Sequence, residues 1–547
     1  MRKWALLCAF IVLSFSAGGQ QTLVPLTERI EVSVINVDVT VTDRAGHPVN
    51  GLSREDFEVF EDGRAQKITN YYTIENAAVR ITRGDSSAAE EAGDLQQFRR
   101  KVVLMIDNNF IVKPQRDAAL KRLDDFIDNH FAGNYEWSVI SVGHGVQTVQ
   151  PFTEERELIH EALERVRHMP TLDTQVEQDR ALLSDPTRRR ANTSEAADYP
   201  GSVHFSGREQ TMRNLQATTN TARAIVQTCR AFGASDGKKL VVLVTGGMER
   251  NTTFSAYESG TDRNIQEMKL EVDRILDEMV HEANAANFNL YVVKARNRGM
   301  IAPQHDVSNK SSGLNLQSAN ILQSGGGAGP IDTTDVDSAS LSLALGTGGL
   351  YLSSSDTGRN FEQIDTDTSN YYSLGYSPQH SDDGKYHHIS VKVKKPGLTV
   401  RHRDGYLNLS FDQRLEQSLL SPLSFPKEKG SLPVALVLGL PADAERVRIP
   451  VIASVAMSRL TVLPRGESYV GRVHVYLSIY DRNGNNVGYH HLTRDINVSK
   501  SDVSKLQNAQ FRTQMNVALK KGDFTLVVTL RDDVSNEIGT AIQNVRL

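Results

Sequence analysis

Val102-Val103-Leu104-Met105-Ile106-Asp107 is a run of five apolar residues closed by a carboxylate. An apolar run without polar alternation suits a strand buried on both faces, the habit of parallel sheets whose crossovers are helices. The next segment agrees. Pro114 can occupy the first turn of a helix, and Leu120, Leu123, Phe126, Ile127 and Phe131 then recur at helical spacing. The alternation continues through a strand at 137–142, helices at 154–168 and 210–232, a strand at 240–244, a helix at 264–287 and a strand at 290–293. Parallel neighbours need crossover connections, so residues 100–365 read as a doubly wound α/β domain.

Two polar segments interrupt that domain, 171–207 with Arg188-Arg189-Arg190 and 297–335, rich in Ser, Asn and Gly. Both read as long mobile loops on the sheet edge where strand C-termini open, the usual ligand edge of such folds. Upstream, residues 27–76 alternate through Val32, Val34, Val37, Val39 and Val41, with turns at Asp43-Arg44-Ala45-Gly46 and Glu61-Asp62-Gly63. That is the pattern of a small antiparallel β unit, and 77–99 reads as a linker. Downstream, within 366–410, predicted strands at 371–376, 388–393 and 398–402 are placed to complete the N-terminal β unit. Runs at 469–480 and 524–530, with Asp481-Arg482-Asn483-Gly484 as a turn, predict a β-sandwich over 430–547. The expected fold is multidomain: a central α/β parallel sheet of Rossmann-like type, flanked by an antiparallel β unit and a C-terminal β-sandwich.

A chain of 547 residues exceeds a single core, and a net charge of −5 argues against a polyanion partner, so no nucleic acid is expected. Arg2 and Lys3 precede an apolar run over 4–15 and small residues over 16–19, the layout of a signal peptide at 1–19. Export to the periplasm or extracellular medium follows. No later stretch reaches about 18 apolar residues, so no membrane span is expected in the mature chain. Removal of the leader takes Cys8 with it, and Cys229, on a helical apolar stripe, reads as a buried inert thiol.

The strand 102–107, the downstream Leu240-Val241-Val242-Leu243-Val244-Thr245-Gly246-Gly247, and Ala344-Leu345-Gly346-Thr347-Gly348-Gly349-Leu350-Tyr351 together resemble a von Willebrand factor type A (VWA) domain. Tyr371-Tyr372-Ser373-Leu374-Gly375-Tyr376-Ser377-Pro378, Gly384 to Val391 and Val400 to Tyr406 resemble the closing signature of the bacterial VWFA-related family known chiefly from acidobacteria. The stretches 37–43 and 52–63 are similar to that family's opening. The resemblance spans about 27–410, and it implies a module that binds or assembles with a protein or a cell-surface macromolecule.

Type A domains hold Mg²⁺ through an Asp-x-Ser-x-Ser loop, a Thr from a second loop and an Asp after the fourth strand. By this resemblance Asp107 is the first ligand, Asn109 replaces the first Ser, Ile111 replaces the second, and Thr211 is the candidate Thr. Gly246 stands where the late Asp belongs. The implied metal site is degenerate, with Asp107, Asn109 and Thr211 as its remnant and Asn108, Thr245, Gly246 and Gly247 as further ligand-face candidates. No cofactor is expected. Two readings of Asp107 stand side by side: it caps or hydrogen-bonds its own loop, which the residue set favours, or it anchors a weak Mg²⁺ site completed by a partner's carboxylate.

Enzyme signatures are lacking. His281-Glu282 has no second His one turn on, and His387-His388 in a strand sends its rings to opposite faces. No Gly-x-Ser-x-Gly elbow or phosphate loop occurs, and Gly325-Gly326-Gly327 reads as flexible loop. Asp124-Asp125, Asp382-Asp383 and the three arginines read as solvated surface. The expected function is therefore an exported, non-enzymatic binding, adhesion or assembly protein. Metal-dependent adhesion and a secreted hydrolase with a site assembled from distant residues are the alternatives.

Overall fold

The computed structural model describes residues 34–76, 78–81, 90–91, 99–130, 135–143, 145–171, 201–234, 237–248, 263–295, 338–353, 356–380, 382–421, 431–439, 447–482 and 486–547. The leader reading at 1–19 and most of both long-loop readings lie outside these residues.

The N-terminal segment forms β1 (Ile35–Thr42), β2 (Phe57–Glu61), β3 (Arg64–Gln66), β4 (Ile68–Glu75), β5 (Ala78–Ile81) and β6 (Glu90–Glu91). The α/β unit follows as β7 (Arg100–Asp107), α1 (Lys113–His130), β8 (Tyr135–Val142), β9 (Val146–Thr153), α2 (Arg156–Arg167), α3 (Gly201–Phe232) and β10 (Lys238–Thr245). It continues with α4 (Arg263–Ala285), β11 (Phe288–Lys294), α5 (Ser338–Gly346), β12 (Tyr351–Leu352) and α6 (Thr357–Ser369). Its sheet runs β12-β11-β10-β7-β8-β9, parallel except for the β8–β9 hairpin.

Alternate residues of each strand serve opposite faces. Val103 and Met105 pack with α3, α4 and α5, whereas Val102, Leu104 and Ile106 pack with α1, α2 and α6. The edge strand β9 (VQTVQPFT) shows no apolar run in sequence, although Val149 packs into one core and Val146 and Phe152 pack against the other. Helix α3 starts at Gly201, inside the segment expected to be loop up to 207.

The closing strands β13 (Tyr371–Tyr376), β14 (Tyr386–Val393), β15 (Thr399–Arg401) and β16 (Gly405–Leu407) interleave with the first six. One sheet runs β15-β1-β13-β4-β5-β6 and the other β16-β14-β2-β3. Val37, Val39, Phe57, Val59, Tyr372, Leu374, Ile389 and Val391 fill the core between them. Within 77–99, where the composition predicts a linker, β5 pairs with the edge of β4 and β6 with β5, extending the first sheet.

This β unit meets the strand N-termini of the α/β sheet. Lys238, first residue of β10, lies 3.3 Å from Asp38 of β1 and 3.3 Å from the centre of the Tyr371 ring. The opposite, C-terminal edge is the one that carries Asp107.

A short helix not expected from the sequence, α7 (Phe411–Leu420), links to the last domain. Ser410 and Gln413 form its capping box. Its C-terminal end is bolted to α3 by Ser418 and Ser421, which donate to the carbonyls of Ala231 and Gln227. The last domain comprises β17 (Ala435–Leu438), β18 (Val447–Ala456), β19 (Leu463–Arg465), β20 (Ser468–Asp481), β21 (Asn486–Ser499), β22 (Gln510–Leu519), β23 (Asp523–Asp532) and β24 (Ile538–Arg546). They form two antiparallel sheets, β17-β18-β22 and β19-β20-β23-β24 with β21 on β20, over one apolar core. Tyr480 of β20 donates to the Leu419 carbonyl, so α7 is held on both sides. Among the described residues, no helix is long and apolar enough to cross a membrane.

Candidate functional site

Numbered within the α/β sheet, the strand order is 3-2-1-4-5-6, with β7 first and β10 fourth. The crossover direction reverses between these two strands, and in open α/β sheets the crevice beyond the strand C-termini at that point is where ligands bind. β7 ends at Asp107 and β10 ends at Thr245, with Ile106 paired to Val244, so the two terminal residues sit side by side there.

The Asp107 side chain is wholly buried. Its Oδ1 accepts from the Asn109 backbone N–H (3.1 Å) and from the Thr221 hydroxyl (3.1 Å), and its Oδ2 accepts from the Thr245 hydroxyl (3.0 Å). Both hydroxyls also accept: Thr221 from the Asn109 amide at 3.3 Å, and Thr245 from the Gly247 N–H at 3.2 Å. Three segments, the 108–112 loop, α3 and the end of β10, are thereby tied to one carboxylate. Burial outweighs these hydrogen bonds and pushes the Asp107 carboxyl up to about 6.

Asn108 is committed elsewhere. Its N–H donates to the Val142 carbonyl at 2.8 Å, its amide nitrogen donates to Ser141 at 2.9 Å, and its Oδ1 accepts from Arg116 at 3.1 Å. The buried Arg116 guanidinium also donates to the carbonyls of Met169 and Arg167, satisfying the C-terminal end of α2. The loop after β7 is thus fastened to β8 and α2 as well as to α3 and β10.

Of the residues picked from sequence, Asp107, Asn109, Thr245 and Gly247 converge on one hydrogen-bonded knot, and Asn108 lies beside it. Thr211 is ten residues before Thr221 on the same helix, about 15 Å along its axis, and its side chain lies outside the described residues. The hydroxyl that meets Asp107 is Thr221, which sequence reasoning missed. Thr218, Thr219 and Thr221 are all buried polar residues of α3, and which of them meets Asp107 is set by helix–sheet packing.

Gly246 stands where the type A resemblance calls for an acid, and its surroundings explain why glycine is there. A Cβ at this position would stand 1.7 Å from the Phe110 carbonyl oxygen. The backbone of the loop after β7 therefore occupies the space a late Asp would need. Ile111 is likewise a fully buried core residue rather than a ligand. Mg²⁺ asks for about six oxygen ligands in octahedral array. Here one carboxylate faces three hydrogen-bond donors, so the residues present do not fit a Mg²⁺ centre.

Cys229 is fully buried, and burial pushes its thiol well above the ordinary range, away from the reactive thiolate.

No protein family and no curated protein matches the chain in sequence. Among solved structures, it is similar to an aerotolerance-related membrane protein from Bacteroides fragilis at 9% identity, covering 49% of this chain and 98% of that one, with a TM-score of 0.24. It is similar to a mutant of the PilB minor pilin from Streptococcus sanguinis at 8% identity, covering 59% and 81%, with a TM-score of 0.25. A Bacteroides uniformis β-glucuronidase 2 mutant matches at 9% identity and a TM-score of 0.15, over 21% of this chain and 13% of that one. At these TM-scores the likenesses carry no argument about function.

Proposed function

We propose that this chain is an exported, non-enzymatic binding or assembly protein of the von Willebrand factor type A-related kind, and that the strand-end edge of its α/β domain engages a protein or cell-surface macromolecule without a cation. The observation that carries this reading is the Asp107 knot at the topological switch point. It holds the ligand edge in one arrangement through donors of the chain itself, so the edge is pre-organised before any partner arrives. The 3-2-1-4-5-6 strand order and the motifs at 102–107, 240–247 and 344–351 support the family reading. The leader-like first nineteen residues support export.

The test is site-directed photo-crosslinking in the producing cell. A crosslinking residue at Lys113 or Gly145, exposed beside the knot, is expected to trap one discrete partner equally well with and without EDTA. The same residue at Arg122, on the outer face of α1, is expected to trap none. Loss of the crosslink in EDTA, with recovery in Mg²⁺, would instead establish metal-dependent adhesion; equal trapping from Arg122 would remove the edge from the argument.

A further inference from the structure

Glu61 closes β2, and its carboxylate is buried. Its Oε2 accepts from the hydroxyls of Tyr376 (2.6 Å) and Tyr406 (3.0 Å), while its Oε1 lies 2.9 Å from Nε2 of His380. His387, second residue of β14, has Nδ1 at 2.9 Å from Asp62 and Nε2 at 3.2 Å from Asp383. The His380 and His387 rings stack at 4.0 Å, and Nδ1 of His380 lies 3.1 Å from the Asn408 amide. Glu61, His380 and His387 each offer one ligand atom, all within 4.8 Å of one another.

We propose that Glu61, His380 and His387, with the Asp383 carboxylate beside His387 Nε2 as a further donor, bind one divalent transition-metal ion of the zinc class. Two imidazoles with carboxylates suit Zn²⁺ and its neighbours better than Mg²⁺ or Ca²⁺. The spacing also fits. Neighbouring ligands on a tetrahedral ion with bonds of about 2.0–2.1 Å stand about 3.4 Å apart; Glu61 and His380 stand at 2.9 Å, and all three ligand atoms lie within 4.8 Å of one another.

The strongest argument lies behind the ligands. Metal-bound imidazoles and carboxylates characteristically have their other polar atom held by a second group, which fixes orientation and raises basicity. Here Asp62 holds Nδ1 of His387, Asn408 meets Nδ1 of His380, and two tyrosines hold Oε2 of Glu61. Three carboxylates, Glu61, Asp62 and Asp383, surround the two rings. Among the described residues, the lysine that pairs with this group is Lys385, on the rim at 4.0 Å from Asp383.

One movement is required. Stacked rings direct their in-plane lone pairs in parallel, so His380, the partly exposed member, must rotate and exchange its contact with Glu61 for a shared ion. Bound there, the ion would join β2 to the turn before β14 across 319 residues of chain. It would staple the two segments that flank the α/β domain and stabilise the folded state by mass action.

Full-length protein without a polyhistidine tag, stripped with chelator, would be titrated with Zn²⁺ by calorimetry and with Co²⁺ by visible absorption at pH 7.5. One equivalent is expected to bind and raise the thermal midpoint. His380→Ala, at a partly exposed position, and His387→Gln are expected to lose the calorimetric and visible signals. Asp62→Asn is expected to weaken binding roughly 10- to 100-fold. Asp107→Asn and His474→Ala are expected to bind like wild type, the latter testing the other close imidazole pair, His474 and His491 at 3.1 Å. The proposal fails if wild type shows no stoichiometric binding, if His380→Ala still binds, or if His474→Ala is the variant that loses the ion. Each of these outcomes is independent of whether the Asp107 edge binds a partner.

Discussion

Asp107 and Glu61 are both carboxylates shut away from solvent, at 0% and 5% exposure, but their surroundings are organised in opposite senses. Around Asp107 both oxygens are consumed by donors from three segments, and the Phe110 backbone fills the adjoining space. Around Glu61 two tyrosines brace one oxygen and leave the other facing an imidazole. Burial alone makes no cation site, because a buried acid is accommodated either by donors or by a cation. Which of the two applies depends on where the donors stand. The type A resemblance points to Asp107, while the ligand geometry points to Glu61.

The largest expected effect comes from restoring the acid that the resemblance calls for. Gly246→Asp drives a side chain into the Phe110 carbonyl, and urea denaturation is expected to show a loss of about 3 kcal/mol or more that Mg²⁺ does not recover. A stable Gly246→Asp protein that gains stability with Mg²⁺ would erase the contrast between the two carboxylates.

A pH series gives the next largest effect. The Asp107 carboxyl is raised from 3.8 to about 6 in the folded chain, chiefly by burial. Between those values the folded state holds a proton that the unfolded state has released. Stability from this group is therefore full below about pH 4, falls as pH rises to about 6, and is level above, a change of roughly 3 kcal/mol at most. Subtracting the stability curve of Asp107→Asn from that of wild type between pH 3.5 and 7 should isolate this slope. A flat difference would mean that Asp107 ionises as freely as in water and that the knot is wrongly described.

The smallest effect belongs to Thr221→Val, which keeps the shape and removes one hydroxyl donor. A loss of about 1 kcal/mol is expected in chemical denaturation, together with a further rise of the Asp107 pKa, since one of the opposing hydrogen bonds is gone. No change in either quantity would detach α3 from the knot.

The α/β core was legible because the runs 102–106 and 240–244 are apolar throughout and its helices carry a stripe, both local patterns. Strand β9 and helix α7 were not, the first being an edge strand without an apolar run and the second a short helix whose partners, α3 and β20, lie far away in sequence. At the site, Asp107, Asn109 and Thr245 were readable from position in the motif. Thr221 was not, because the turn of α3 that faces the end of β7 is set by helix–sheet packing rather than by spacing along the chain.

By itself the sequence determined that the central domain alternates strand and helix, and that Ile111 and Gly246 lack the oxygens of a type A metal site. Those properties belong to single residues or to periods of a few residues. Only the tertiary structure decided that Phe110 closes the gap at Gly246, that Thr221 supplies the hydroxyl, and that Glu61 meets His380 and His387. Such meetings depend on which distant strands pair and in what register, and that leaves no periodic trace in the chain.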